Sequence, residues 1–316
     1  MIVLRTYLLG RVGTAILLVL VVVTIVFLAL RAVPGDPAVV LANGAGPEVE
    51  ARIRAELGLD QPLWSQYFLF LRNVVVFNFG VSFQNGQPVT QALLERFPNT
   101  LELMVATALV STPLGIVFGT LAARRRGWAD SMLSGFMTLG VSTPGYVVAT
   151  ILILVFSLSL KWLPASGLPS LTEDPAGNLR SIILPVTVLA IPFTAVVARV
   201  TRTSILETEN QEWVRTARSW GMGDGKVFRS HILRNSLTPV ATTIGLELGV
   251  VLGSTTIVES IFNYPGISAY LVHGVAFRDY PVVQGTVILI AVCIIFLNIL
   301  VDVVYGVLDP RVRHQR

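Results

Sequence analysis

The feature that most limits what this chain becomes is a set of long runs without charge. Residues 12–30, 103–123, 131–160, 181–198 and 280–301 contain no Asp, Glu, Lys or Arg, and 235–258 contains only Glu247. About 20 apolar residues in a helix cross the hydrocarbon core of a bilayer, and in lipid each segment has to satisfy its own backbone polar groups. The runs read as six transmembrane helices, at 9–31, 101–123, 131–160, 181–203, 236–258 and 280–306, in a single domain of 1–316. The fold class is all-α integral membrane, with an extracytoplasmic insertion, 34–98, between helices 1 and 2. Run 131–160 is long for one crossing, so it is expected to tilt or to lie partly outside the bilayer. The first run exceeds a signal-peptide core of about 7–15 residues and no clear A-x-A site follows it, so it reads as a retained helix.

Composition agrees. Only 13% of the 316 residues are charged, where a soluble domain carries about 25%. Much of the surface therefore faces something other than water. The single cysteine, Cys293, lies inside an apolar run and has no internal partner for a disulfide.

The charges that remain are asymmetric. Arg5 and Arg11 precede the first run, Arg124, Arg125 and Arg126 follow the second, and Arg311, Arg313 and Arg316 follow the last. Seven Lys or Arg lie between the fourth and fifth runs, from Arg199 to Arg234. The alternate segment 32–100 carries four Arg against six acids. Basic residues stay on the cytoplasmic side, so both termini are expected there.

Within the insertion, "PEVEARIRAELG" reads as a short helix begun by Pro47 and stopped at Gly58. "QPLWSQYFLFLRNVVVF" is too apolar for a solvated helix and too polar for a crossing. It is expected at the interface or on the outer face of the bundle, with a plain extracellular linker as the alternative.

Between the fourth and fifth runs lies "RTARSWGMGDGKVFRSHILRN", residues 215–235. "GMGDGK" superficially resembles a phosphate loop. Yet Trp220 stands where the pattern G-x-x-x-x-G-K-[ST] needs its first Gly, and Val227 stands where it needs Ser or Thr. The three histidines, His231, His273 and His314, have no metal-ligand spacing, and "GVSTPG" lacks the G-x-S-x-G elbow. No catalytic or metal constellation is found. "ETENQEWVRTARSWG" instead reads as a helix, acidic at its start and basic at its end, capped at Gly221. "GDGK" reads as a turn before a second helix that leads into span 5. Such a knob suits docking, although an ordinary solvated basic loop has the same composition.

This segment resembles the cytoplasmic "EAA" loop of ABC-importer permeases. Aligned on Gly221, Arg215, Thr216 and Ala217 take the EAA positions and His231–Arg234 the last four. The first and last positions depart from the general consensus, but "RTARxxG…RNxLxP" is the form typical of peptide permeases. "VPGDP" (33–37), "LGLDQPLWSQY" (57–67), "FGVS" (79–82), "ERFPNTLEL" (95–103), "GVSTPGY" (140–146), "ESIFNYPGI" (259–267), "RDYPVVQG" (278–285) and "VDVVYGVLDPRVR" (301–313) keep order and spacing. Together they are similar to the B-type transmembrane permease subunit of dipeptide, oligopeptide or nickel ABC importers.

The resemblance implies the type I ABC importer permease fold. It also implies a homologous second permease, two cytoplasmic ATPase subunits or domains that bind ATP and Mg, and an extracytoplasmic substrate-binding protein. This chain itself then carries no cofactor and is not an enzyme. The cargo implied is a di- or oligopeptide, with nickel or another small cargo as the alternative and an ATP-independent secondary transporter as a more distant one. ATPase coupling is expected in loop 207–235, at Glu212, Trp213, Arg215, Thr216, Ala217, Arg218, Trp220, Gly221 and Met222. Pathway or gate roles are expected at Ser142, Thr143, Pro144, Glu247, Glu259, Asn263 and Tyr264. Of these, Glu247 lies roughly 15 Å along span 5 by helical rise, where a carboxyl group faces a cavity or a helix partner.

Overall fold

The structure is a computed structural model that describes residues 2–32, 38–39, 46–56, 58–125 and 127–308. The motifs at 33–37 and 309–313 lie outside the described residues. The described chain is helical, and its only β-pairing is an isolated bridge between Val81 and Pro88. Five helices are long and apolar enough to cross a membrane, or six if a bent pair forms one crossing. The chain divides into two compact units.

The first unit comprises residues 1–98 and 266–295. It holds α1 (Ile2–Ala32), α2 (Pro47–Glu56), α3 (Leu63–Val75), the start of α4 (Val89–Arg124), α11 (Ile267–Ala276) and the first part of α12 (Tyr280–Leu308). Gly58 ends α2 at φ +65°, and the Leu59 amide donates back to the Arg54 carbonyl at 2.9 Å, a left-handed stop that favours glycine. α3 lies on α1. Thr24 Oγ1 and Tyr67 OH share a 2.7 Å hydrogen bond, Arg31 Nη2 donates to Gln66 Oε1 at 2.7 Å, and the Arg31 guanidinium covers the Phe27 ring at 3.6 Å. Val23, Phe79, Val89, Leu93, Ile267, Val282 and Ile288 form the core, with Phe70, Leu71 and Val74 of α3 packed against it. Asp279 is buried before α12 and accepts from Ser82 Oγ at 2.5 Å, which ties the end of the insertion to the start of that helix.

The second unit comprises residues 99–265 and 296–316. It holds the rest of α4, α5 (Trp128–Ser142), α6 (Gly145–Leu152), α7 (Pro175–Glu209), α8 (Glu212–Ser219), α9 (Asp224–Val227), α10 (Leu233–Ile261) and the end of α12. α7 is its centre: 72% of its apolar window is buried, against 28% or less in the other four long helices. Asp174 caps it by accepting from the Gly177 amide at 2.9 Å, and Pro175 takes the first turn, where no amide partner is lost. Small residues let its neighbours approach. A Cβ on Gly119 of α4 would lie 2.4 Å from the Ala198 carbonyl, and one on Gly115 would lie 2.6 Å from Val197.

Run 131–160 is not one tilted helix. It is two, α5 and α6, bent by 104° across Thr143 and Pro144, with α6 prolonged by a π-helical stretch Ile153–Ser159. Pro144 supplies no amide and forces its predecessor out of the helical region, and Thr143 stands at φ −85°, ψ 122°. Helix α4 also starts earlier than the apolar run, so the last ten residues of segment 34–98 belong to it.

Candidate functional site

The polar segment after α7 is the most distinctive built surface. The sequence pattern suits one helix over "ETENQEWVRTARSWG", but α7 continues to Glu209, and Asn210 and Gln211 break the chain before α8 begins. After α8, Trp220 caps and Gly221 turns at φ +79°. "GDGK" is helical rather than a turn. Gly223 precedes α9, which passes through a π-helical turn Phe228–Ile232 straight into α10.

One side of this knob is a foot. Ile205, Val214, Val227, Phe228 and Ile232 are buried together, with Ala217, Met222 and Leu233 packed against them. Arg124 of α4 covers the Phe228 ring at 4.5 Å. On α8, Val214 and Ala217 are three apart and face the foot, which leaves the rest of the helix outward. Glu212, Trp213, Arg215, Thr216 and Arg218 are exposed, and Trp220 is 81% exposed. An indole so open to solvent contributes nothing to the foot.

Arg218 fixes how α8 is held. Its Nη2 donates to Glu209 Oε1 at 2.8 Å and its Nε to Asp224 Oδ1 at 3.0 Å. One guanidinium thus joins the end of α7 to the start of α9 across α8. Hydrogen bonding to Glu209, with the nearby charge of Asp224, raises Arg218 further above its ordinary range, so its charge is constant. Arg215 pairs with Glu212 at 3.3 Å, and Trp213 lies 6.4 Å from His231 edge to face. The nine residues expected to couple are therefore contiguous, but Ala217 and Met222 pack inward while the others line the outside.

The expected pathway residues do not form one group. Ser142, Thr143 and Pro144 sit at the break between α5 and α6, where Thr143 Oγ1 donates to the Leu139 carbonyl at 2.7 Å. Glu247 is half-buried on α10. Two residues before it, Gly245 packs so closely on α12 that a Cβ would lie 2.2 Å from Val301. Glu259 and Tyr264 are brought together with Asn99 and Thr100 of α4. Glu259 is fully buried and accepts from Thr100 Oγ1 at 2.7 Å. Tyr264 OH donates to the Asn99 carbonyl at 3.0 Å, and burial raises its phenol far above the ordinary range. Asn263 is the left-handed residue, φ 45°, that ends α10, with the Tyr264 amide returning to the Glu259 carbonyl at 2.8 Å. Sequence reasoning missed Thr100, Asn99 and Asp279 because single polar residues carry no periodic signal.

Among the described residues no group of three or more His, Cys, Asp or Glu is placed to hold a metal ion.

Residues 115–314 match the family described as "Binding-protein-dependent transport system inner membrane component", and residues 3–104 match its N-terminal family. The chain belongs to this family. It is 40% identical over 308 residues to a putative peptide transport system permease protein of Brucella abortus (strain 2308), covering 97% of this chain and 98% of that one. It is 37% identical over 320 residues to the di/tripeptide transport system permease protein DppB of Pseudomonas aeruginosa (strain UCBPP-PA14), covering 93% and 95%. The fold is shared with the inward-facing MetNI methionine ABC transporter at TM-score 0.56 and 14% identity, over 69% of this chain and 97% of that one. An amino acid ABC transporter gives TM-score 0.51 at 18% identity, over 70% and 94%. As a permease of this family, the chain is a multi-pass inner-membrane protein.

Proposed function

We propose that this chain is the transmembrane subunit of an ATP-driven importer of di- or oligopeptides. Its knob, α8 and the turn at Gly221, seats in a cleft of a separate cytoplasmic ATPase subunit. Two such ATPases hold the ATP and Mg, a homologous second permease completes the pathway, and an extracytoplasmic binding protein delivers the peptide. Both termini and the loop 207–235 then lie on the cytoplasmic side, as their basic residues favour. The observation that carries the reading is the division of α8 into a buried foot at Val214 and an open outer side bearing Glu212, Trp213, Arg215, Thr216 and Trp220. The names of the relatives support peptides as cargo.

Coupling at such a knob is rigid-body transmission between two states of an interface. Arg218 and the apolar foot hold α8 to the ends of α7 and α10, so a push on α8 is delivered to two membrane helices rather than absorbed by a loose loop. Co-purification in gentle detergent tests the assignment. The intact chain is expected to bring down an ATPase subunit, and Trp220→Ala with Arg215→Ala is expected to lose it. Recovery of the permease alone in both cases contradicts the proposal.

A further inference from the structure

Between α6 and α7 the chain 161–169 lines a shallow, open pocket of about 690 Å³. Ser157, in the α6 extension, and Ser181, in the early part of α7, line it; the Ser157 hydroxyl is buried without a partner among the described residues, and the Ser181 hydroxyl donates to the Gly177 carbonyl at 2.9 Å. Lys161 and Arg180 contribute two cations, and no acidic side chain is part of the lining. The nearest acids in sequence are Glu173 and Asp174, and Asp174 is spent on the Gly177 amide as the cap of α7. Neither Lys161 nor Arg180 has an ion pair among the described residues.

The loop that carries these groups is built rather than slack. Gly167 donates to the Phe262 carbonyl at 3.3 Å, Asn178 Nδ2 to the Pro169 carbonyl at 3.1 Å, and the Trp162 amide to the Phe156 carbonyl at 2.9 Å. Lys161 is held at φ 56°, a left-handed conformation that a long side chain seldom adopts without support from its surroundings. Trp162 packs against Phe156 at 5.9 Å between ring centres yet remains 67% exposed, and it lines the pocket together with Leu168.

From this arrangement we propose that the cavity binds the phosphate of an anionic lipid headgroup. Two cations without ion pairs match phosphate oxygens, and the arginine fork takes two of them at once. A free phosphate satisfies the same donors. The lipid is favoured by position, because the pocket lies between the end of the apolar α6 extension and the start of α7, a helix long and apolar enough to cross a membrane. Trp162 and Leu168 of its lining offer apolar surface to an acyl chain, and tryptophan concentrates where headgroups meet hydrocarbon. The volume falls in the usual range of small-molecule sites, about 300–1,000 Å³.

The full chain in nanodiscs of phosphatidylcholine, with or without phosphatidylglycerol, provides the test, with retained lipids counted by native mass spectrometry after gentle detergent exchange. The unaltered chain is expected to keep phosphatidylglycerol, and Lys161→Gln with Arg180→Gln to bind it about tenfold more weakly. Lys161→Arg with Arg180→Lys is expected to keep most of the binding, and Arg180→Gln alone, which preserves Lys161, to fall between. A parallel arm adds inorganic phosphate to phosphatidylcholine discs. Equal phosphatidylglycerol retention by all variants overturns the site. Binding of inorganic phosphate without retention of phosphatidylglycerol overturns the lipid as its source.

Discussion

The Thr100 hydroxyl donates a 2.7 Å hydrogen bond to Oε1 of Glu259, a carboxyl group with no exposed surface. It joins the end of α10 to α4 across 159 positions of sequence. A buried polar group is costly when a partner is taken away and much less so when the partner is conserved in kind. Thr100→Val is therefore expected to destabilise the second unit by about 1–3 kcal/mol, and Thr100→Ser to restore most of it. Melting temperatures in detergent check the pair. Equal melting of both variants and the unaltered chain removes the bond as a stabilising contact.

Glycine positions give a contrast within one experiment. A Cβ at Gly119 meets the Ala198 carbonyl at 2.4 Å, whereas one at Gly249 meets nothing within 4 Å. Gly119→Ala is expected to cost about 1–3 kcal/mol through overpacking of α4 on α7. Gly249→Ala, in a helix interior, is expected to be neutral or to stabilise by roughly 0.5–1 kcal/mol. Thermal shift of the two variants side by side reads this out.

The foot and the outer side of α8 separate in the same way. Val214→Ala removes apolar volume from a fully buried position and is expected to cost about 1–3 kcal/mol. Trp220→Ala removes an exposed ring and is expected to leave the melting temperature within about 1 °C of the unaltered chain. If ATP-driven uptake falls in both, a melting temperature that drops only for Val214→Ala distinguishes a collapsed foot from a lost contact.

Arg218 makes two ion pairs with Glu209 and Asp224, but its side chain is 40% exposed. Exposed pairs contribute at most about 1 kcal/mol and weaken with salt. Arg218→Gln is therefore expected to melt normally while amide hydrogen exchange around 209–224 accelerates. Unchanged exchange contradicts the clamp.

Much of this was legible before any coordinates. Charge-free runs specified the membrane class, and spacing about Gly225 and Lys226 excluded a nucleotide loop. Gly58 as a helix stop was legible because a left-handed turn selects glycine. What escaped was decided by packing. Pro185 and Pro192 stay inside α7, while Pro144 marks a 104° bend. All three delete an amide, but α7 is surrounded by neighbours that hold it, whereas Ser142 and Pro144 are exposed. The break at Asn210 and Gln211 was hidden because a polar helical pattern runs through it. What fixes the turn is the burial of Ile205 and Val214 in one foot, a contact between residues on either side of the break. Glu259 read as a pathway or gate residue, and only tertiary contact shows that it is enclosed.

The central claim is that α8 and its turn transmit ATP-driven motion to the membrane helices. Gly221 tests it cleanly: a Cβ there meets open space, and Asp tolerates the left-handed backbone better than most residues. Gly221→Asp is expected to insert and melt nearly normally and to abolish ATP-dependent uptake of labelled di- and longer peptides into vesicles that hold the whole complex. Undiminished ATP-driven uptake by a stably inserted Gly221→Asp chain contradicts the account.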